Sequence, residues 1–555
     1  MTETFFERHK ATLDQALEAI TTRGYWSPYP ESASPRIYGE TAAADGEAAF
    51  KVRLGKTFEL DQPGGGAPLG GERSPFGLAL DIGYPAPDIE ALIGAAQAAL
   101  PAWRDAGPQV RAGVCLEILD RLNKASFELA HAVMHTTGQA FMMAFQAGGP
   151  HAQDRGLEAV AYAYADMMRT PASALWEKSQ GKHAPLRLIK RFHVVPRGVA
   201  LVIGCSTFPT WNSYPGLFAS LVTGNPVIVK PHPEAILPLA ISVEIARAVL
   251  TEAGFDANLV TLAADTTEAP IARDLCLRPE VRIIDFTGGS SFGDWIEQNA
   301  RQAQVYTEKA GVNCVVIDST DDPKGLLRNL SFTLSLYAGQ MCTTPQAIFV
   351  PRGGIQAGDE HWSFDEVAQK LAGAVDKFLA DPARAVAILG AIQSKKTLAR
   401  LEACRTLGEV VLAPRALADP AFPEARIRTP LILTTEAANR DAWGRERFGP
   451  IYFIVATDST EQSIALAREV ILEKGAITSA VYATDEAVLA EMEQAMMEAG
   501  VALSCNLTGG VFVNQSAAFS DFHATGANPA ANAALTDTAY VAGRYRIVQS
   551  RRPAD

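Results

Sequence analysis

The hydrophobic pattern of the chain changes its period near residue 186. Upstream, apolar residues recur at helical spacing. Pro87–Leu100 and Val110–Met134 read as long amphipathic helices, with Val114, Ile118 and Leu122 on one face. Downstream, "RFHVVPRGVALVIG" (Arg191–Gly204) alternates and then becomes continuously apolar, as a strand entering a sheet covered on both faces does. A strand–helix rhythm follows: strand Val199–Gly204, helix Tyr214–Val222, strand Pro226–Val229, helix Ile236–Gly254, strand Leu259–Ala263, helix Glu268–Leu277 and strand Val281–Phe286. Such alternation predicts an α/β fold, a parallel sheet with helices on both faces. A second series from Asn313 to about Tyr482 predicts a second domain. Residues 1–60 show little order, with loop signals in "WSPYPESASP" (Trp26–Pro35). The Gly/Pro-rich "DQPGGGAPLGGERSPFG" (Asp61–Gly77) reads as a boundary.

Composition narrows the class. At 555 residues the chain is long enough for two or three domains, and its 48% apolar and 20% charged content is that of globular proteins. A net charge of −13 argues against a nucleic-acid partner, because the phosphate backbone would be repelled. No apolar run approaches the roughly 20 residues that span a bilayer, and "MTETFFERHK" has no signal-peptide h-region. The seven cysteines form no C-x-x-C pair, so neither a disulfide framework nor a metal site is expected. The chain reads as soluble and cytoplasmic.

Ligands in such folds bind at loops leaving the C-terminal ends of parallel strands. After the first strand, "CSTFPTWNSYPG" (Cys205–Gly216) places Asn212 at a strand-to-helix turn, either as a helix N-cap or as an amide donor to an oxyanion. "VTGNPVIVKPHPE" (Val222–Glu234) puts Lys230 at the edge of the second strand. There it is a surface lysine or reaches a nucleotide ribose, and His232 is an ordinary loop residue or one near a 2′-phosphate. "FTGGSSFG" (Phe286–Gly293) ends a strand and opens a helix, where glycines and a helix N-terminus suit a phosphate. In "VYTEKAGVN" (Val305–Asn313), Glu308 is a salt-bridged loop residue or a buried carboxylate of raised pKa acting as a general base. Cys342, in "YAGQMCTTPQ" (Tyr337–Gln346), is a buried thiol or a nucleophile. "ERFGP" (Glu446–Pro450) opens onto an apolar strand.

Taken in order, "TWN", "GNPVIVKP", "FTGGSSFG", "TEKAG", "GQMC" and "ERFGP", with "WRDAGPQVR" (Trp103–Arg111) before them, resemble the motifs of the aldehyde dehydrogenase superfamily from about Ile82 to Asn514. The resemblance implies two Rossmann-like parallel-sheet domains plus a small β oligomerisation arm. The bounds expected are an N-terminal extension (1–60), a nicotinamide-cofactor domain (61–305, interrupted by an arm near 180–198), a catalytic domain (306–510) and a C-terminal segment with an arm (511–555).

By position, Cys342 matches the nucleophile, Glu308 the base for hydrolytic water and Asn212 the oxyanion donor. Lys230 and Glu446 match residues holding the cofactor riboses, Phe448 flanks the nicotinamide, and Thr287, Gly288, Gly289 and Ser290 lie near the pyrophosphate. The implied reaction is NAD(P)-dependent oxidation of a small-molecule aldehyde through a cysteine thioester. The alternatives are CoA-acylating chemistry, against which retention of Glu308 argues, and a non-catalytic binding protein. Pro233 stands where the family carries a glutamate that repels a 2′-phosphate, so NADP is expected in preference to NAD. "AAFSDFHATGAN" (Ala517–Asn528) replaces the family's Pro-Phe-Gly-Gly loop, and Lys309-Ala310-Gly311-Val312 replaces Leu-Gly-Gly-Lys. "LIKRFHVVPRG" (Leu188–Gly198) and "TAYVAGRYRIVQSRRP" (Thr538–Pro553) alternate like exposed strands, and a homodimer or dimer of dimers is expected.

Overall fold

A computed structural model describes residues 4–309 and 311–554; Ala310 of the "TEKAG" turn lies outside them. Its first sheet has five parallel strands in the spatial order Val260–Leu262, Val227–Lys230, Val199–Ile203, Val281–Thr287, Gln304–Glu308. Every residue of Val199–Ile203 and Val227–Lys230 is buried, which explains their unbroken apolar runs. The strand order reverses beside Val199–Ile203, which makes the crevice above its carboxyl end the natural ligand site. The sheet continues past residue 305, so Glu308 ends a strand of the first sheet although sequence reasoning grouped it with the second.

The second sheet has seven strands. Leu431–Glu436, Ile451–Thr457, Ala347–Pro351, Cys314–Ile317, Thr478–Tyr482 and Ala502–Cys505 run parallel, and Glu409–Leu412 adds an antiparallel edge. A third sheet pairs Ser173–Gln180, His183–Pro196 and Tyr545–Pro553 antiparallel. The two alternating stretches read from sequence as exposed strands are thus partners of each other. Leu175, Leu186, Ile189, Ile547 and Val548 remain exposed on this arm.

Residues 4–60 are more ordered than expected. Phe5–Thr22 is a helix opened by a capping box between Thr4 and Glu7, followed by the helices Pro35–Tyr38 and Ala42–Arg53. Leu13, Ala16 and Ala19 line its buried face. It approaches the helix Gly107–Lys124 so closely that a Cβ on Gly113 would lie 2.4 Å from the Phe6 nitrogen. The expected helix Val110–Met134 is two, Gly107–Lys124 and Ser126–Thr137, broken at Ala125.

Trp103 and Arg111 anchor the helix Pro209–Val222 at its C-terminal end. The Trp103 indole donates to the Leu221 carbonyl (2.8 Å), and Arg111 Nε donates to that of Val222 (2.8 Å). Both carbonyls belong to the last turn, which lacks intrahelical partners. The opposite end of that helix carries Asn212. Among the described residues no helix is long and apolar enough to cross a membrane.

Candidate active site

Three residues separated widely in sequence meet between the two large sheets. Glu308 ends its strand buried, Cys342 sits in the loop leading to the strand Ala347–Pro351, and Asn212 lies in the first turn of Pro209–Val222. Asn212 is not the N-cap of that helix, a position held by Phe208, so its amide is free of the capping role. Its Nδ2 donates to Glu308 Oε2 (3.1 Å), and Cys205 Sγ lies 3.6 Å from its Oδ1. Asn212, Thr287 and Glu308 line one cavity at the carboxyl edge of the first sheet, closed opposite by Ala524, Ala533 and Leu535.

A fourth residue was not singled out from the sequence. His523, buried at 3% exposure, places Nε2 at 3.2 Å from Glu308 Oε1 and 3.7 Å from Cys342 Sγ. It belongs to the segment Ala517–Asn528 recognised only as a departure from the family loop. The Glu308, Cys342 and His523 donor atoms lie within 4.8 Å of one another. Carboxylate and imidazole are bonded to each other and the thiol touches both.

Electrostatics correct one expectation. Burial raises the Glu308 carboxyl, but the charge and hydrogen bond of His523, with hydrogen bonds from Cys342 and Asn212, outweigh it and hold the group below its ordinary value. Glu308 is therefore an anion at neutral pH, not a carboxyl of raised pKa. The Cys342 thiol moves the other way: burial, then the Glu308 charge and hydrogen bond, push it well above its usual range.

The loop that carries Cys342 is built by residues whose types were not read as functional. Tyr337, Ala338 and Gly339 are consecutive left-handed residues (φ 50°, 48° and 64°), and a Cβ on Gly339 would lie 2.5 Å from the Gly449 carbonyl oxygen. Two non-glycine residues in that region store strain that the surroundings must hold. The Tyr337 hydroxyl donates to the Thr137 carbonyl (2.5 Å), and Gln340 Nε2 donates to that of Ala391 (3.0 Å). Buried Asn313 donates to the carbonyls of Cys342 (2.7 Å) and Thr344 (3.0 Å), while its Oδ1 accepts from the Ile477 and Thr478 amides (2.9 and 3.1 Å). Gln346 ties the same loop to Glu446: its Nε2 donates to the Trp443 and Arg445 carbonyls (3.1 and 2.8 Å), and its Oε1 accepts from the Arg447 amide.

Of the expected cofactor residues, Lys230 and Thr287 end strands of the first sheet, Gly288 and Gly289 lead into the helix Ser290–Asn299, and Glu446 and Phe448 lie in the loop before the strand Ile451–Thr457. Gly289 is the N-cap of the helix Ser290–Asn299, which has no side-chain cap, and the space where a Gly289 Cβ would sit is open. An uncapped helix N-terminus with open space at the carboxyl end of a parallel strand fits a dinucleotide phosphate. A Cβ on neighbouring Gly288 would instead meet the Phe286 ring at 2.7 Å. Lys309 braces this helix through ion pairs to Asp294 (2.8 Å) and Glu297 (3.0 Å).

Of the two readings of Lys230, that of a surface lysine is ruled out. It is buried, and its Nζ pairs with Asp265 Oδ1 (2.6 Å), so its charge is compensated within the protein. Burial, followed by Lys230 and Lys396, pushes His232 down to about 4 and keeps it neutral. Pro233 places no carboxylate at its position, although Glu234 follows it. Burial raises Glu446 to about 7 against the opposing effects of Arg400 and the Gly311 amide, and the Phe448 carbonyl accepts from Arg400 Nη1 (2.6 Å).

Comparison with known proteins agrees with this geometry. The sequence profile of the aldehyde dehydrogenase family matches residues 84–530. The chain is 62% identical to an NAD-dependent aldehyde dehydrogenase from Burkholderia multivorans, whose crystal structure superposes over 100% of both chains with a TM-score of 0.98. It is 28% identical over 445 residues to N-succinylglutamate 5-semialdehyde dehydrogenase of Chromobacterium violaceum, covering 78% of this chain and 81% of that one. A 1-pyrroline-5-carboxylate dehydrogenase from Thermus with bound NAD shares the fold at 18% identity and a TM-score of 0.73, over 96% and 99% of the two chains. The chain belongs to the aldehyde dehydrogenase family and is an oxidoreductase acting on an aldehyde group.

Proposed function

We propose that the protein oxidises an aldehyde to a carboxylate with NAD, through a thioester on Cys342. The observation that carries this reading is the contact set of Cys342, Glu308 and Asn212 beside an uncapped helix N-terminus. Cys342 adds to the aldehyde carbon. The second amide hydrogen of Asn212 and the Cys342 backbone N–H hold the oxygen of the resulting hemithioacetal. Lys230 and Glu446 would hold the cofactor's riboses, Gly289 and Ser290 its pyrophosphate, and Phe448 its nicotinamide ring. A nicotinamide held there would supply the two-electron acceptor that oxidation of a hemithioacetal to a thioester requires. Glu308, already an anion, then takes a proton from the water that attacks the thioester.

NAD is the cofactor supported by the Burkholderia multivorans relative. NADP is accepted as well in this reading, since Pro233 brings no carboxylate and Lys396 lies near His232, while Asp265 works against a strong preference. A kcat/KM for NAD tenfold above that for NADP removes the NADP claim.

For substrate, an apolar cluster of Phe208, Leu336 and Tyr337, flanked by Met143, Trp211 and Met341, borders the loop of Cys342 and suits a carbon-chain aldehyde. The curated relatives act on a semialdehyde by name. The length, the N-terminal extension and "TFPTWNSYPGLFASLVTGNPVIVKPHP" resemble the phenylacetic acid degradation protein PaaN, which favours a ring-opened, CoA-linked semialdehyde. The exposed arm supports a homodimer or dimer of dimers. The test is reduced-nicotinamide absorbance with a panel of aliphatic, aromatic, semialdehyde and CoA-linked aldehydes. Turnover that Cys342→Ala abolishes supports the proposal. No reduction with any aldehyde overturns it.

A further inference from the structure

We propose that His523 is a positioning residue for hydrolysis of the thioester: its Nε2–H fixes the Glu308 carboxylate beside the acylated Cys342, and the N-terminal extension holds the ring there. The proposal rests on Cys342 being the nucleophile and Glu308 the base, as read above. The step it serves is balanced. Glu308 takes a proton from water, the water oxygen bonds to the acyl carbon, and the C–S bond breaks. The proton then returns to the departing sulfur, which leaves a carboxylic acid, the free thiol and the Glu308 anion. His523 itself exchanges no proton.

Geometry is the first argument. Nε2 lies 3.2 Å from Glu308 Oε1 and 3.7 Å from Cys342 Sγ, so its hydrogen goes to the nearer carboxylate. Asn212 Nδ2 donates to the other oxygen, Oε2 (3.1 Å), and with one donor on each oxygen the carboxylate cannot turn without losing a bond. The thiol supplies a third hydrogen bond. Acylation removes it, because the acyl group replaces the hydrogen on sulfur. His523 and Asn212 are then the donors left to Glu308, and Asn212 also has the thioester carbonyl to hold with its second hydrogen.

Charge is the second argument. Burial disfavours the Glu308 anion, and among the groups that oppose burial His523 comes first, ahead of Cys342 and Asn212. The other ionisable groups around the carboxylate give no such help. Burial pushes the Cys205 thiol up to about 11, so it is uncharged, and Tyr306 and Tyr540 stay neutral phenols. Asp285, across the same cavity, is paired with Arg544 (2.6 Å). Lys309, next in the chain, is paired with Asp294 and Glu297, and Arg155 faces Trp211 and Glu158. Glu446, which bears on Cys342, adds only negative charge when ionised. Without His523, burial prevails and the carboxyl of Glu308 rises.

Construction is the third argument. The Trp211 ring stands edge-on to the imidazole at 4.7 Å, and the Leu535 amide donates to the His523 carbonyl (2.8 Å). The segment from Ser516 to His523 is held from two sides. Arg155 donates to Ser516 Oγ (3.0 Å) and the Asp521 carbonyl (3.2 Å), and Glu158 accepts from the Phe519 amide (3.0 Å). From the N-terminal extension, Arg23 donates to the Ser520 carbonyl (3.0 Å) and covers the Phe522 ring at 4.1 Å, while Trp26 meets Phe519 edge-on at 5.1 Å. Phe519 and Ala524, on either side of His523, are left-handed (φ 65° and 61°), a strain that this clamp sustains. The N-terminal extension and the replaced C-terminal loop therefore act as one device that presents the Nε2 donor to Glu308.

The test needs neither aldehyde nor cofactor. p-Nitrophenyl acetate acetylates Cys342 of the full chain, and loss of that acetyl group is followed by intact mass from pH 6 to 9. Each unit by which the Glu308 carboxyl rises removes about tenfold of its anion at lower pH. His523→Ala is therefore expected to deacetylate about tenfold or more below wild type at pH 6 and to approach the wild-type rate by pH 9. His523→Gln keeps an N–H donor and does not titrate, and is expected within about threefold of wild type throughout, about half a unit. Arg23→Ala, outside the site, is expected to follow His523→Ala in direction with a smaller effect. A His523→Ala rate lowered equally at every pH shows a packing role alone and overturns the proposal, as does a rate not lowered at pH 6. His523→Gln as slow as His523→Ala overturns it too, since the donor would then count for nothing. Glu308→Gln deacetylating like wild type, or Cys342 left unacetylated, strikes the reading of the site on which the proposal stands.

Discussion

Asn313→Ala removes the residue that seats the Cys342 loop on the second sheet. Asn313 is 3% exposed and makes four hydrogen bonds, two donated to the carbonyls of Cys342 and Thr344 and two accepted from the amides of Ile477 and Thr478. At about 1 kcal/mol net for each bond, the four sum to about 4 kcal/mol, and backbone groups left buried without partners push the cost upward. The loss falls where Cys342 is positioned, and a misplacement of about 1 Å costs on the order of 10²-fold in rate. Urea unfolding should show destabilisation of about 4 kcal/mol, and kcat should fall about 100-fold with little change in the cofactor's KM. Asn313→Asp keeps the two accepted bonds but faces a carboxylate toward the Cys342 and Thr344 carbonyls, so its kcat should fall at least as far with a smaller stability loss. An Asn313→Ala enzyme with an unmoved unfolding midpoint and kcat within threefold of wild type refutes the reasoning.

Glu308→Gln should lower turnover about 10²–10⁴-fold, the usual worth of general-base assistance, and accumulate an acyl adduct on Cys342 visible by rapid-quench mass spectrometry; wild-type turnover with carboxylate product would remove Glu308 from the mechanism, and rescue by free CoA would favour the acylating alternative. Glu446 lies at about 7, above its ordinary 4.5, so the folded protein holds this proton more tightly than the unfolded chain, and that stabilisation is full below about 4.5 and lost as pH rises to 7. A carboxylate accepts from two ribose hydroxyls where the neutral acid does so less well, so the NAD dissociation constant should fall between pH 6 and 8, a trend that Glu446→Gln should flatten. Sedimentation at micromolar concentration should show a dimer or dimer of dimers, and deletion of the strand Tyr545–Pro553 should leave monomer; a wild-type monomer counts against the arm as an interface.

Much of the architecture was legible in the chain because strand and helix periods reflect which face each residue must bury. The buried runs Val199–Ile203 and Val227–Lys230 were readable for that reason. Cys342, Glu308 and Asn212 were legible through short motifs in a recognisable order. The N-terminal helix was missed although its capping box, Thr4 with Glu7, and its buried face at Leu13, Ala16 and Ala19 are local signals.

Other features were not local at all. His523 stands 181 residues from Cys342 and 215 from Glu308, and what brings it to them is the packing of Arg23, Trp26, Arg155 and Glu158 around a strained loop. The charge states of Glu308 and Lys230 were equally out of reach, because an ionisable group takes its state from partners that only folding supplies, His523 for one and Asp265 for the other. The sequence determined which chemical groups the protein owns and the periods that sort them into sheets and helices. The tertiary structure decided which of those groups touch, because contacts between residues so far apart in sequence exist only once the chain has folded.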